Sequence, residues 1–225
     1  MARKEFSVAA MSRLRPLTDC QLYTFVDTAY LHGRDPLEVC RQLCDGGSDL
    51  IQLRAKNSSA DDVRRVAEKL LSITNAANVW LVINDYPGTA SEVGAPICHL
   101  GQEDFFDAGH KHVSELKNIR SDLKIGLSTH APAQAERAIA AGAAYVAIGP
   151  IYATGTKPTA KPVTLDYVRW AAANVKIPWF AIGGINLQTI DAVVDAGAKR
   201  ICVVSAILNA PNVAVACAEF KKRLP

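Results

Sequence analysis

The densest charge-bearing chemistry in this chain lies in Gln52-Leu53-Arg54-Ala55-Lys56. In an extended segment alternate side chains share a face, so Gln52, Arg54 and Lys56 point the same way. A guanidinium and an ammonium converging on an enclosed space call for an anionic ligand, because a buried unpaired charge is costly. A second oxyanion-binding set is Thr154-Gly155-Thr156-Lys157, with two hydroxyls and an ammonium in a loop that opens on Gly149-Pro150. The glycine spacing before that lysine is not that of a Walker loop. Two acids stand between these sets, Asp85 in Asn84-Asp85 and Asp104 in His99-Leu100-Gly101-Gln102-Glu103-Asp104. Two carboxylates beside a cationic pair suit magnesium, which completes its shell with water and phosphate oxygens. Taken singly, Asp85 also reads as a cap for the following segment and Asp104 as a loop acid.

Something must bring these residues together. Eight short apolar runs rich in β-branched residues recur: Leu22–Val26, Leu50–Leu53, Trp80–Ile83, Ile97–Leu100, Lys124–Leu127, Tyr145–Ile148, Trp179–Ile182 and Ile201–Val204. Between them run helical segments at Pro36–Gly46, Ala60–Asn75, Val113–Arg120, Ala131–Ala141, Leu165–Asn174 and Leu187–Ala196. Pro87–Gly94 is irregular, and Val213–Arg223 supplies a last helix. Continuous rather than alternating runs are expected of parallel strands buried on both faces. Strand and helix repeated eight times predict a single (β/α)₈ barrel over residues 21–225. An open dinucleotide-binding sheet would need a Gly-rich turn after the first strand, and Val26-Asp27-Thr28-Ala29 is not one. The first 20 residues read as a mobile arm, with Met11 an alternative start.

A barrel places its active site in the loops after the strand C-termini. Every polar set named above follows an apolar run, as does Ser128-Thr129-His130. The last two runs lead into Gly183-Gly184 and Val204-Ser205. Barrels often bind phosphate with the loops after strands seven and eight, through backbone N–H groups. Gly184 would let the backbone approach the ligand, or would serve only a tight turn. Two anionic groups in one mouth follow from the cationic sets and this neutral cradle. His99, alone in its apolar run, reads as a hydrogen-bonded structural histidine.

Composition narrows the function class. Of 225 residues, 49% are apolar and 21% charged, which excludes a disordered chain. A net charge of +3 without a basic run argues against a nucleic-acid binder. No run approaches the ~18 apolar residues of a membrane span, and the N-terminus lacks an apolar signal core. Six cysteines without zinc spacing fit free thiols in a reducing cytoplasm. The partners are therefore small molecules, and a homo-oligomer is compatible with the sequence.

The ordered set QLRAK, VIND, HLGQED, GLSTH, IGPIYATGTK, AIGGI and VVSAI resembles the thiamine-phosphate synthase family, from about Gln21 to Leu208. Each motif follows its own strand. Members of that family condense hydroxymethylpyrimidine diphosphate with thiazole phosphate and release pyrophosphate, with magnesium as cofactor. The resemblance implies that Gln52, Leu53, Arg54, Ala55, Lys56, Asn84, Ser128 and Lys157 surround the pyrimidine diphosphate. Arg54, Lys56, Lys157 and Ser128 would be the catalytic residues, and Asp85 and Asp104 the metal ligands. Thr154, Gly155, Thr156, Gly184, Val204 and Ser205 would hold the thiazole phosphate.

Three features depart from the family pattern. Pro96-Ile97 stands where Asp-Gly is usual, Ala55 replaces a frequent acid, and the stretch from Phe105 to Asp122 is longer. The rival functions are a sister thiazole tautomerase, whose proton work falls to a histidine in the position of His130, and a non-catalytic barrel binding thiamin precursors. The complete diphosphate and metal set favours the synthase. Sugar-phosphate isomerase barrels would want a positioned base, and no strand end here supplies a Glu.

Overall fold

The computed structural model describes residues 14–155 and 161–225. Its strands are β1 (Leu22–Asp27), β2 (Leu50–Arg54), β3 (Trp80–Asn84), β4 (Ile97–Leu100), β5 (Lys124–Thr129), β6 (Tyr145–Ile148), β7 (Trp179–Ile182) and β8 (Ile201–Cys202). Each pairs in parallel with the next, and β8 returns to β1 to close the barrel. The expected (β/α)₈ architecture is the one observed. Strand residues are buried almost throughout; Arg54 and Ser128, at the C-terminal ends of β2 and β5, are among the few partly exposed.

The outer layer comprises α1 (Pro36–Asp45), α2 (Ala60–Ala76), α3 (Pro87–Val93), α4 (Gln102–Phe106), α5 (Pro132–Ala140), α6 (Thr164–Asn174), α7 (Ile190–Asp195), α8 (Ser205–Leu208) and α9 (Val213–Lys222). Side-chain caps start several of them. Asp35 accepts from Leu37 N ahead of α1, and Ser59 accepts from Asp62 N ahead of α2. Among the described residues, no helix is long and apolar enough to cross a membrane.

The sequence expectation fails twice. The segment read as irregular forms α3 (Pro87–Val93), started by Pro87 and closed by left-handed Gly94 (φ 83). The second failure comes after β4. A helix over Val113–Arg120 is replaced by a single 3₁₀ turn, Val113–Glu115, while the helix forms directly after the strand as α4. Val113, Leu116 and Ile119 have helical spacing and pack against the core, yet without an α-helix to carry them. Left-handed Asn118 turns the chain ahead of Ile119, and the Glu115 carboxylate accepts from Lys111 N before the 3₁₀ turn. Pro96-Ile97 does not displace the strand that leads to Asp104: Ile97 pairs with Lys124 and Leu100 with Leu127 in regular register.

Residues 1–13, the outer part of the expected arm, lie outside the described residues. Residues 14–20 form no free arm but lie across the barrel floor. Leu17 and Cys20 are buried, and Trp80 Nε1 donates to Arg15 O at 2.8 Å. Asp49 ties this floor together, accepting from Gln21 N at 2.7 Å, Leu22 N at 2.9 Å and Arg15 Nη1 at 3.1 Å, and from Lys221 Nζ. Sequence reading overlooked this anchor because its partners are remote in the chain.

Candidate active site

The C-terminal ends of the strands open into one cavity of about 1010 Å³, open mouth included. Gln52, Arg54, Lys56, Asn84, Asp85 and Ser128 line it, together with Asp104 from α4. Thr154, Gly184, Val204 and Ser205 line the same cavity from the β6–β8 side. A second recess adjoins it, lined by Gly155, Asn186 and Asn209 and sharing Thr154, Gly184 and Ser205 with the first. Leu53 and Ala55 are buried away from the cavity, because alternation along β2 turns them to the opposite face. Thr156 and Lys157 lie outside the described residues.

The charges on the β2–β4 side are already organised. Arg54 Nη1 donates to Asp27 Oδ2 at 2.7 Å, with Asp27 at 1% exposure and Arg54 at 15%. The register explains the pair, since Asp27 sits directly opposite Arg54 across β1 and β2. Asp27 also accepts from Ala29 N, capping the turn that follows β1. Lys56 Nζ lies 2.6 Å from Asp85 Oδ2. Asp85 adopts a left-handed backbone (φ 66), an uncommon state for a side-chain-bearing residue, and its N–H donates to His99 O at 2.9 Å. Such conformations persist where the surroundings over-determine them.

Among the described residues no group of three or more His, Cys, Asp or Glu forms a metal cage. Asp85 and Asp104 nevertheless face one cavity. Two carboxylates are the donor set of a hard cation whose remaining ligands are water and phosphate, so the residues fit magnesium bound together with a diphosphate. Asp104 is carried by α4, which Phe105 and Phe106 anchor in the core while the Arg137 guanidinium lies 3.7 Å from the Phe106 ring centroid.

The opposite wall is built by interlocked loops. A Cβ on Gly149 would meet Ile182 O at 2.2 Å, and one on Gly183 would meet Pro150 Cβ at 2.4 Å. At Gly184 (φ 67) the nearest group is Ala153 O, 2.7 Å from where a Cβ would lie. Gly184 therefore serves the contact between the β6 and β7 loops, beyond the ligand approach expected of it. His130 sits beside this wall. Its N–H donates to Gln134 Oε1 at 2.6 Å, and Nδ1 donates to the Gly149 carbonyl.

Sequence reasoning missed Asp27, Tyr23 and Tyr145. Asp27 is the terminal acid of an apolar run, a signal of the kind that exposed Arg54. Tyr23 and Tyr145 lie inside such runs and carried none. His99 is hydrogen-bonded on both ring nitrogens, to Tyr145 and Ser128, which agrees with a structural histidine while placing it on the cavity wall.

The family model described as thiamine monophosphate synthase matches residues 22–207. Similar proteins include the thiamine-phosphate synthase of Lawsonia intracellularis, 37% identical over 208 residues, covering 92% of this chain and 93% of that protein. The thiamine-phosphate synthase of Thermus thermophilus is 41% identical over 180 residues, covering 80% of this chain and 84% of its own. A solved structure of thiamine phosphate pyrophosphorylase from Pyrococcus furiosus superimposes with a TM-score of 0.82 at 28% identity, covering 93% of this chain and 97% of that one. With the fold, the cavity and these relatives in agreement, the chain belongs to the thiamine-phosphate synthase family.

Proposed function

We propose that this chain, a transferase of thiamin biosynthesis by its family, joins an aminopyrimidine bearing a diphosphooxymethyl group to a thiazole phosphate in this cavity. The observation that carries the assignment is the pair of adjoining recesses. One carries Arg54 and Lys56 beside two carboxylates, Asp85 and Asp104; the other has no charged side chain among the described residues and is lined by glycines, hydroxyls and carboxamides. The first suits the diphosphate and the second the monophosphate.

Asp85 and Asp104 would hold magnesium, whose charge on the diphosphate oxygens supplies Lewis-acid stabilisation of the leaving group. Arg54, Lys56 and Lys157 add positive charge where negative charge develops. The pair of Lys56 with Asp85 sets this ammonium beside a proposed metal ligand in the same cavity, where it would meet the diphosphate. The C–O bond breaks with its electron pair leaving on diphosphate, and the amino-substituted ring carries the positive charge on its methylene carbon. The thiazole nitrogen lone pair then forms the C–N bond, giving the thiazolium product. Gln52 and Asn84 orient the pyrimidine and Ser128 meets its diphosphate, while Thr154, Gly155, Thr156, Gly184, Val204 and Ser205 fix the thiazole phosphate within reach, which supplies much of the rate. No protein nucleophile is required. Small-molecule partners and a cytoplasmic location complete the proposal.

The division of the cavity has a direct test by calorimetry. Inorganic pyrophosphate should bind at least about tenfold more weakly in EDTA than with magnesium, a difference of ~1.4 kcal/mol. Thiazole phosphate should bind equally in both. Metal-dependent thiazole phosphate binding, or pyrophosphate binding indifferent to metal, would invert or remove the assignment.

A further inference from the structure

A continuous hydrogen-bonded chain crosses the barrel interior beneath the cavity. Gln52 Nε2 donates to the Tyr23 hydroxyl, and the Tyr23 and Tyr145 hydroxyls lie 2.9 Å apart. The Tyr145 hydroxyl is 3.0 Å from His99 Nδ1, and His99 Nε2 is 2.9 Å from Ser128 Oγ. Five side chains from β2, β1, β6, β4 and β5 thus form one line whose two ends, Gln52 and Ser128, both border the cavity.

The barrel accommodates this line at a cost. Tyr23 and Tyr145 are almost completely buried, at 1% and 0% exposure, and polar groups there are expensive unless every one is paired. The rings are caged: Tyr23 stacks on Phe25 and meets Tyr145 and Phe180 edge-on, while His99 stacks on Tyr145. Gly126 makes the room, since a Cβ there would lie 2.2 Å from Tyr145 Cζ. Apolar side chains would fill this space with less penalty, so the line has a role beyond packing.

The polarity of the line follows from counting protons. Burial pushes both tyrosine hydroxyls well above their ordinary pKa, so each phenol keeps its one proton. Tyr23 accepts from Gln52 and must give its proton to Tyr145; Tyr145 in turn gives its proton to His99 Nδ1. An accepting Nδ1 leaves the imidazole proton on Nε2, which donates to Ser128 Oγ. The Ser128 proton is then turned away from His99 and toward the cavity.

We infer that Tyr23, Tyr145 and His99 are positioning residues that lock the His99 tautomer and make the Ser128 hydroxyl an obligate donor to an anionic oxygen of the substrate. This rests on the proposed diphosphate site, yet its first test does not. In the full chain labelled with ¹⁵N-histidine and free of substrates, His99 should carry its proton on Nε2, with an acceptor-type signal at Nδ1. A His99→Asn variant identifies the resonances. Ser128→Ala should keep that tautomer, because it is set from the Tyr145 side. Tyr145→Phe should lose it and lower kcat about tenfold, with the KM for thiazole phosphate unchanged within about twofold.

A proton on Nδ1 in the unsubstituted protein would reverse the line, make Ser128 a donor to His99 and overturn the inference, whether or not Tyr145→Phe folds. A folded Tyr145→Phe barrel with full kcat would overturn it as well. Failure of the unsubstituted chain to form thiamin phosphate would instead defeat the proposed site, leaving the tautomer result to stand alone.

Discussion

Asp104→Ala is expected to reduce thiamin phosphate formation by at least about 10³-fold while leaving the melting temperature within a degree or two. The two halves of that expectation have separate physical origins. Asp104 is exposed in the first turn of α4, and that helix is anchored by Phe105 and Phe106 and not by the carboxylate. Its removal leaves no buried donor stranded, so stability hardly moves. Among the described residues, however, the cavity is lined by two carboxylates, Asp85 and Asp104, and one alone is a poor site for a cation that must remain on the diphosphate during bond cleavage. Asp104→Asn should behave almost as badly, because it keeps the shape and loses the charge. Steady-state kinetics with saturating magnesium, beside a thermal melt, separates these effects. A folded, fully active Asp104→Ala protein would remove Asp104 from the metal site.

Asp27→Ala should have the largest effect on stability. The Asp27–Arg54 pair is closed to solvent on the acid's side, at 1% exposure, and nearly so on the arginine's, at 15%. Deleting one partner of such a pair leaves an uncompensated charge and costs about 3–5 kcal/mol. Loss of the cap on Ala29 N adds about 1 kcal/mol. The proposed chemistry supplies a further signature. Diphosphate brings negative charge back to Arg54, so magnesium pyrophosphate should raise the melting temperature more in the variant than in the unsubstituted protein. kcat/KM should fall about tenfold to a hundredfold, since Arg54 keeps its charge and loses its orientation. Equal ligand-induced shifts in both proteins would mean that Arg54 does not meet the diphosphate.

Much of this molecule is legible in its residues. Eight apolar runs mark all eight strands, because parallel strands buried on both faces carry no polar alternation. Among the described residues, Arg54, Lys56, Asp85, Ser128, Thr154 and Ser205, which follow them, line one mouth for the same topological reason. What sequence reading misses has physical causes. Val203-Val204 extends an apolar run, yet only Ile201 and Cys202 pair as strand before the chain turns at Val204 into α8. Val113, Leu116 and Ile119 imitate a helix face because each packs against the core at helical spacing, although only Val113–Glu115 form a turn of 3₁₀ helix. Tyr23 and Tyr145 look like core, and only the barrel's closure brings their hydroxyls to each other and to His99. Their partners lie 122 and 46 residues away, beyond the reach of any local pattern.

Pyrophosphate release by the purified chain, given both substrates first with magnesium and then with EDTA, tests the central claim most directly. Release should require both substrates and the metal, with thiamin phosphate appearing in a one-to-one ratio. Folded protein that releases no pyrophosphate, or releases it equally in EDTA, would contradict the proposed transfer and leave His130 as the residue to test for proton transfer on a thiazole carboxylate phosphate.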